Sequence, residues 1–231
     1  DDLAVANFGD NTITIFRGSI GAPVIRLTDT IGVGAAPMDI ISGDFTGDGR
    51  ADIVTANNGG ANVSLLVNLG NMAFAAPVSI AAGNGPSGLA VGFFNLDANL
   101  DLAVSNHDDD TITVLLGDGA GGFAPGPGSP LAAGNQPIAL GDARDLNGDG
   151  FVDLSVANFA DNTIGVLLGN GAGGFGPMTP HPTGTGPRQV DVRDVDFDNH
   201  ADIVTVNNGD DSASLLFNDG AGGFASFETL Y

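Results

Sequence analysis

Short apolar stretches alternate with polar turns along the whole chain, and the alternation has the period of strands rather than of helices. A phrase that opens on Asp and alternates through apolar positions to Asn recurs at Asp2, Asp52, Asp101, Asp153 and Asp202. The spacings are 50, 49, 52 and 49 residues. So regular a period predicts one repeat architecture in five units, approximately 1–33, 34–83, 84–133, 134–183 and 184–231, within a single domain.

Each period carries four strand-like segments. The first follows a Gly- and Pro-containing turn, as at 38–41, 89–91, 138–140 and 190–192. The second follows the Asp, and the third follows a polar turn such as N-F-G-D-N-T. A G-D-G-A-G-G-F turn (117–123, echoed at 169–175 and 218–224) leads to a Pro-tolerant fourth segment, which Pro marks as an edge strand. Four short antiparallel strands every fifty residues predict a blade. An all-β fold follows, a β-propeller of about five four-stranded blades, because radial stacking leaves only short, protected edges. A solenoid is the alternative, although solenoid periods are usually shorter. The chain opens at the second strand of a blade and Tyr231 falls within a fourth, so nineteen strands of a possible twenty are expected, with the first blade incomplete. A longer propeller, a five-bladed ring with one short blade, and self-association through the incomplete blade all fit that count.

Composition narrows the picture. The 231 residues carry a formal charge of −22, every basic residue is Arg, and Glu228 is the one Glu among many Asp. Asp favours turns and caps, and with 37 Gly and 12 Pro little material remains for helices. Such acidity argues against nucleic acid and anionic membranes as partners. No apolar run reaches membrane-spanning length, so no membrane insertion is expected. No basic-then-apolar leader opens the sequence, and any export signal is expected to have been removed or to lie outside these residues. Cys is absent, which removes disulfides and thiolate metal sites.

The chemistry sits between the first and second strands. Residues 44–52 read D-F-T-G-D-G-R-A-D, residues 145–153 read D-L-N-G-D-G-F-V-D, and residues 194–202 read D-V-D-F-D-N-H-A-D. Oxygen side chains fall at positions 1, 3, 5 and 9: Asp44, Thr46, Asp48 and Asp52; Asp145, Asn147, Asp149 and Asp153; Asp194, Asp196, Asp198 and Asp202. Calcium wants six to eight oxygen ligands. Backbone carbonyls at position 7 (Arg50, Phe151, His200) would add a ligand, and Gly or Asn at position 6 supplies a left-handed turn. Ordinary Asx-rich turns are the plainer reading, which three near-identical loops at one point of the repeat disfavour. An EF-hand is excluded, since position 12 is Thr55, Val156 and Thr205 and strands flank the loop. The loop at 93–101 keeps Asn95, Asp97 and Asp101 but has Phe93 at position 1 and Ala98 at position 6, so a fourth site is expected to be weak or absent.

The phrase G-D-F-T-G-D-G-R-A-D-I-V-T-A-N with its later G-G-F resembles the FG-GAP/VCBS repeat of integrin α-subunit propellers and many secreted bacterial proteins. The resemblance implies calcium-filled loops on one face of a propeller, an extracellular setting, and roles in adhesion, in glycan binding or beside a catalytic domain. Fold constrains such roles weakly.

Catalysis finds few candidates. His107 lies in an acidic turn, His200 in an Asp loop and His181 between prolines, and no nucleophile-and-base pattern recurs. The expectation is a non-enzymatic, calcium-binding extracellular module for adhesion or assembly, with a lectin-like or polysaccharide-enzyme accessory propeller as the alternative. Phe74, Phe123, Phe175 and Phe224 are expected to pack blade on blade rather than to stack on sugar. Asp108–Asp110 and Asp210–Asp211 read as solvated turns or a cation-attracting rim, and Arg188 and Arg193 as salt-bridge partners of nearby Asp.

Overall fold

Apolar alternation broken by left-handed turns lets the backbone satisfy its N–H and C=O groups one hairpin at a time. The computed structural model describes residues 2–19, 22–71 and 73–230, with side chains except those of 17–19, 22–29 and 225–230. Every regular element among them is a strand. Asp1 and Tyr231, on which the strand count above depends, lie outside the described residues.

Among the described residues, five antiparallel sheets of three or more strands follow one another. Blade A holds β1 (Leu3–Asn7), β2 (Thr12–Ser19) and β3 (Ala22–Gly32) and has three strands. Blade B runs β4 (Pro37–Gly43), β5 (Asp52–Asn57), β6 (Asn62–Leu66) and β9 (Val78–Ala81), with a small ribbon of β7 (Asn68–Gly70) and β8 (Ala73–Phe74) inserted before β9. Blade C holds β10 (Pro86–Gly92), β11 (Asp101–Asn106) and β12 (Thr111–Gly117). Its fourth strand is split into β13 (Phe123–Pro125) and β14 (Leu131–Ala132), because the Gly- and Pro-rich stretch between them cannot sustain ladder bonds. Blade D is β15 (Pro137–Leu140), β16 (Leu154–Asn158), β17 (Thr163–Leu167) and β18 (Thr179–Pro182). Blade E is β19 (Pro187–Arg193), β20 (Asp202–Asn207), β21 (Ser212–Asn218) and β22 (Phe224–Leu230). The Pro-bearing β18 lies at a sheet edge, as its missing donors require.

The sheets pack in sequence as the blades of a β-propeller. Strand β1 lies against β4, β4 against β10, β10 against β15 and β15 against β19. Each junction has its own apolar cluster: Ile13 and Ile15 with Ile53 and Leu66; Phe45, Val54 and Leu65 with Leu102 and Leu115; Phe94, Ile112 and Val114 with Leu154 and Leu167; Leu146, Ile164 and Val166 with Ile203 and Leu216. Full burial of one such side chain is worth about 1.5–3 kcal/mol. The recurring Phe residues sit at these junctions, as expected. Phe123 packs on Phe45 with ring centroids 5.8 Å apart, and Phe175 packs edge-on against Phe94 at 5.4 Å. By contrast Leu3 is 58% exposed and Val206 52% exposed, where the counterparts Leu102 and Ala157 are fully buried.

A recurring polar clamp closes the other end of each blade. The Asn that ends the second strand donates through Nδ2 to hydroxyls on the third, as Asn106 does to Thr111 at 3.0 Å and Thr113 at 2.9 Å. Asn7 and Asn207 make the same pair of bonds.

Candidate metal centre at the Asp loops

Each Asp loop leaves a first strand and enters a second, so both ends are held by one blade. The Asp at position 9 does most of the holding. Asp52, Asp101, Asp153 and Asp202 are fully buried. In each, Oδ2 accepts the N–H at position 2 (Phe45 3.1 Å, Phe94 2.8 Å, Leu146 2.7 Å, Val195 2.9 Å). Oδ1 accepts an N–H at or just past the end of the third strand (Asn68 2.8 Å, Gly117 2.9 Å, Gly169 2.7 Å, Asn218 2.9 Å). Burial pushes the Asp101 and Asp153 carboxyls above the usual carboxylate range, against the pull of those N–H groups. Position 9 is therefore a backbone staple as well as a candidate ligand, a role that spacing alone did not reveal.

The tip is organised by position 1. Asp44 accepts the N–H of Asp48 at 3.1 Å and of Gly49 at 2.8 Å. Asp145 accepts those of Asn147 at 3.2 Å, Gly148 at 2.7 Å and Gly150 at 2.8 Å. Asp194 accepts those of Phe197 at 2.6 Å and Asn199 at 3.0 Å. These N–H groups turn inward because positions 4 and 6 are both left-handed, at φ +68 and +82 for Gly47 and Gly49, and +75 and +87 for Gly148 and Gly150. Phe197 and Asn199 adopt the same turn at +66 and +72 without being glycine. A bulky residue there costs about 1–2 kcal/mol, and Phe197 is 87% exposed besides. The sequence pointed to position 6; the matching demand at position 4 is masked by that Phe.

The loop at 93–101 lacks this tip. Phe93 cannot accept hydrogen bonds, and neither Leu96 nor Ala98 is left-handed. Asn95 and Asp97 instead bond each other, Nδ2 to Oδ2 at 2.9 Å and backbone N to Oδ1 at 3.0 Å.

In the last loop the side chains of Asp194, Asp196 and Asp202 converge, each offering an oxygen within 4.8 Å of the others. This group can hold a metal ion, and it is the one cluster of three such acidic or imidazole ligands among the described residues. Asp196 is held above the ordinary carboxylate range, first by desolvation and then by the negative charges of Asp198, Asp202 and Asp194. Asp198 is not part of that trio: its Oδ1 accepts His200 N–H at 2.8 Å and its Oδ2 meets the His200 ring Nδ1 at 3.2 Å. The His200 ring thus engages the loop, where only its carbonyl was expected to matter. In the other two loops position 3 is Thr46 or Asn147. Thr46 Oγ1 donates to Asp52 at 3.1 Å, and Asn147 Nδ2 to Asp149 at 2.9 Å.

The G-x-G-A-G-G-F turns share this end of the molecule and tie neighbouring blades to the loops. Asp118 Oδ1 accepts Ala120 and Gly122 N–H, both at 2.8 Å, and Asp219 repeats the turn. Gly121 N–H then donates to Phe45 C=O at 3.0 Å, Gly173 N–H to Phe94 C=O at 2.7 Å, and Asn218 Nδ2 to Leu146 C=O at 2.8 Å.

Other candidates resolve structurally. Asp109 accepts both the N–H and the amide of Asn84, at 2.7 and 2.9 Å, and Asp110 accepts Gln136 N–H at 2.8 Å across a blade junction. That acidic turn is a clamp. Arg193 pairs with Asp191 as expected, whereas Arg188 lies over the Phe159 ring, 5.9 Å from its centroid. His107 meets Asp108 at 2.7 Å, and His181 packs edge-on against Phe224 at 5.1 Å. At the clamp end of the propeller a cavity of about 270 Å³ opens between the first strands, lined by Met38, Asp39, Ser87, Ile138, Arg188 and Gln189 among others. Burial raises the Asp39 carboxyl, whose Oδ2 accepts Leu89 N–H at 2.8 Å.

Similar architecture recurs in solved structures of low sequence identity. A Bacteroides fragilis protein described as a candidate 6-phosphogluconolactonase matches with TM-score 0.71 at 17% identity, over 99% of this chain and 66% of that one. An Agrocybe aegerita lectin that recognises non-reducing terminal N-acetylglucosamine matches at 0.62 and 19% identity, over 96% and 60%. Virginiamycin B lyase from Staphylococcus aureus matches at 0.62 and 14% identity, over 99% and 66%. The chain spans just under two thirds, or less, of each of these proteins, and identities this low establish the propeller fold alone. No curated protein sequence matches. The FG-GAP-like repeat matches residues 44–104 and 145–205, the segments that begin at two of the three loops with left-handed tips. Those segments make up more than half of the sequence, and the chain belongs to the FG-GAP-like repeat family.

Proposed function

We propose that this chain is a calcium-stabilised, non-catalytic binding module that works outside the cell, in adhesion or as a building unit of a surface structure. The observation that carries the metal reading is the convergence of Asp194, Asp196 and Asp202 on a loop whose backbone recurs at 44–52 and 145–153. The donors are oxygen throughout, which suits a hard cation and offers nothing to a thiolate-seeking one. Positions 1, 3 and 5 would hold the ion with the carbonyls of Arg50, Phe151 and His200, and position 9 would close the cage from its buried staple. Bound calcium would neutralise carboxylates that now crowd one another, and so lock the loop that the next blade grips.

Extracellular calcium suits such loops, since modules there typically bind at about 10⁻⁴–10⁻³ M. A non-catalytic role is supported by the three His residues, whose rings rest on Asp108, Phe224 and Asp198 rather than on a nucleophile. Thorough chelation is expected to lower the melting temperature, because each site filled at a hundred times its Kd adds about 2.7 kcal/mol. Asp149→Ala is expected to delete one calcium site in calorimetry. Melting unchanged by chelator would sink the reading. A lectin-like role is the second reading, favoured by Phe8, an aromatic 56% exposed on a turn. Saturable binding on a glycan array would put it first.

A further inference from the structure

The position-5 carboxylates divide their two oxygens in the same way in all four loops. Oδ1 accepts the backbone N–H two residues on: Arg50 at 3.0 Å, Asn99 at 2.8 Å, Phe151 at 2.8 Å and His200 at 2.8 Å. Oδ2 is the oxygen left for a cation, and each loop sets a side-chain donor against it, an Asn amide in two of the four. In the decayed loop the donor is the Asn95 amide, at 145–153 the Asn147 amide, and at 194–202 the His200 ring. At 44–52 it is the Arg50 guanidinium.

These donors are not equivalent as competitors. An amide is neutral, and Asn147 brings a carbonyl oxygen of its own that can become a ligand. A guanidinium is charged at every accessible pH and cannot turn into an acceptor. Arg50 is also anchored, with Nε donating to the Asn68 carbonyl at 2.8 Å. An exposed ion pair is ordinarily worth little. This one stands on the oxygen that a divalent ion would need, and the second bond keeps it there.

We infer that Arg50 is a tethered internal cation of the 44–52 loop, which takes a divalent ion only by swinging the guanidinium out. The inference rests on the calcium reading of the loops. It makes the 44–52 site weaker than those at 145–153 and 194–202, and a tuning point for the whole propeller, because the next blade's Gly121 grips this loop at Phe45.

Calcium titration of the full chain by calorimetry tests it, with Arg50→Gln against Arg188→Gln. Both remove one positive charge, Arg50→Gln keeps the position-7 carbonyl, and Arg188 lies over Phe159, away from the loops. The expected result is a tight class of two sites and a weak class that Asp48→Asn deletes. Arg50→Gln should strengthen the weak class about tenfold, the equivalent of about 1.4 kcal/mol, and leave the tight class unchanged. Arg188→Gln should alter neither class. A weak class that ignores Arg50→Gln, or that responds equally to Arg188→Gln, overturns the inference while leaving the calcium reading intact. Three equal sites unmoved by Arg50→Gln do the same. No calcium uptake by the wild-type chain overturns both.

Discussion

The loops at 145–153 and 93–101 stand at the same place in neighbouring blades and share half of their chemistry. Both end on a buried Asp whose two oxygens hold the N–H of position 2 and an N–H at the end of the third strand, these two bonds matching within 0.2 Å, while Asp101 also accepts Asn95 N–H at 3.3 Å. Above that staple they part. Asp145 gathers three N–H groups around a tip with two left-handed glycines. Phe93 gathers none, and Asn95 and Asp97 satisfy each other. The difference separates two functions that the nine-residue pattern fuses: position 9 holds the blade together, while positions 1, 4 and 6 shape a cage. A loop can lose the second and keep the first.

The largest effect should come from cutting the staple. Asp153→Ala orphans two backbone N–H groups and Asp101→Ala three, at about 1–3 kcal/mol apiece, so they should cost about 2–6 and about 3–9 kcal/mol in urea unfolding with chelator present. The comparison breaks if Asp153→Ala costs several kcal/mol only when calcium is present and Asp101→Ala costs almost nothing in either condition, for the Asp would then matter only through metal.

Much of this was legible beforehand. The fifty-residue period and the strand alternation foretold blades, the short first blade, and the junction role of Phe123 and Phe175. The Asp-rich pattern foretold which loops share a tip, and the Ala98 and Phe93 departures foretold which does not. Three things were hidden, each for a physical reason. The staple at position 9 takes a backbone N–H 16 residues away, as the Asp153 carboxylate takes that of Gly169, which no local spacing exposes. The need for a left-handed position 4 is disguised because Phe197 meets it under strain. Arg188 was expected to seek a carboxylate, yet the ring of Phe159 lies beneath it, and sequence does not order such alternatives.

Restoring the cage should produce a smaller effect. Phe93→Asp with Leu96→Gly and Ala98→Gly supplies the position-1 acceptor and both left-handed residues. Phe93 is 51% exposed and Leu96 84% exposed, so little core is lost. The triple variant should gain one calcium site over wild type in calorimetry and about 2.7 kcal/mol of stability at a hundred times the Kd. Without calcium it should be less stable than wild type, because two new glycines loosen the unfolded chain. A variant that takes up no additional ion would mean that the tip geometry does not make the cage.

The smallest effect lies in pH dependence, and it distinguishes the two staples by what stands above them. Burial raises both the Asp101 and Asp153 carboxyls. A group whose folded pKa lies above its unfolded value of about 3.9 contributes stability that is fully present below that value and lost as pH rises through the folded pKa. In calcium-free buffer, the stability of wild type relative to Asp101→Asn should therefore fall as pH rises from about 3 to 6, and relative to Asp153→Asn likewise. Asp109 supplies the opposite slope: the Asn84 N–H and amide hold its carboxyl below the usual range, so wild type should gain on Asp109→Asn as pH rises. Calcium then separates the pair. A cation in the 145–153 cage favours ionised Asp153 and should reverse the slope for Asp153→Asn, while the slope for Asp101→Asn stays as it was. Reversal at both positions would mean that the 93–101 loop binds calcium despite its tip, and reversal at neither would leave Asp153 a staple alone.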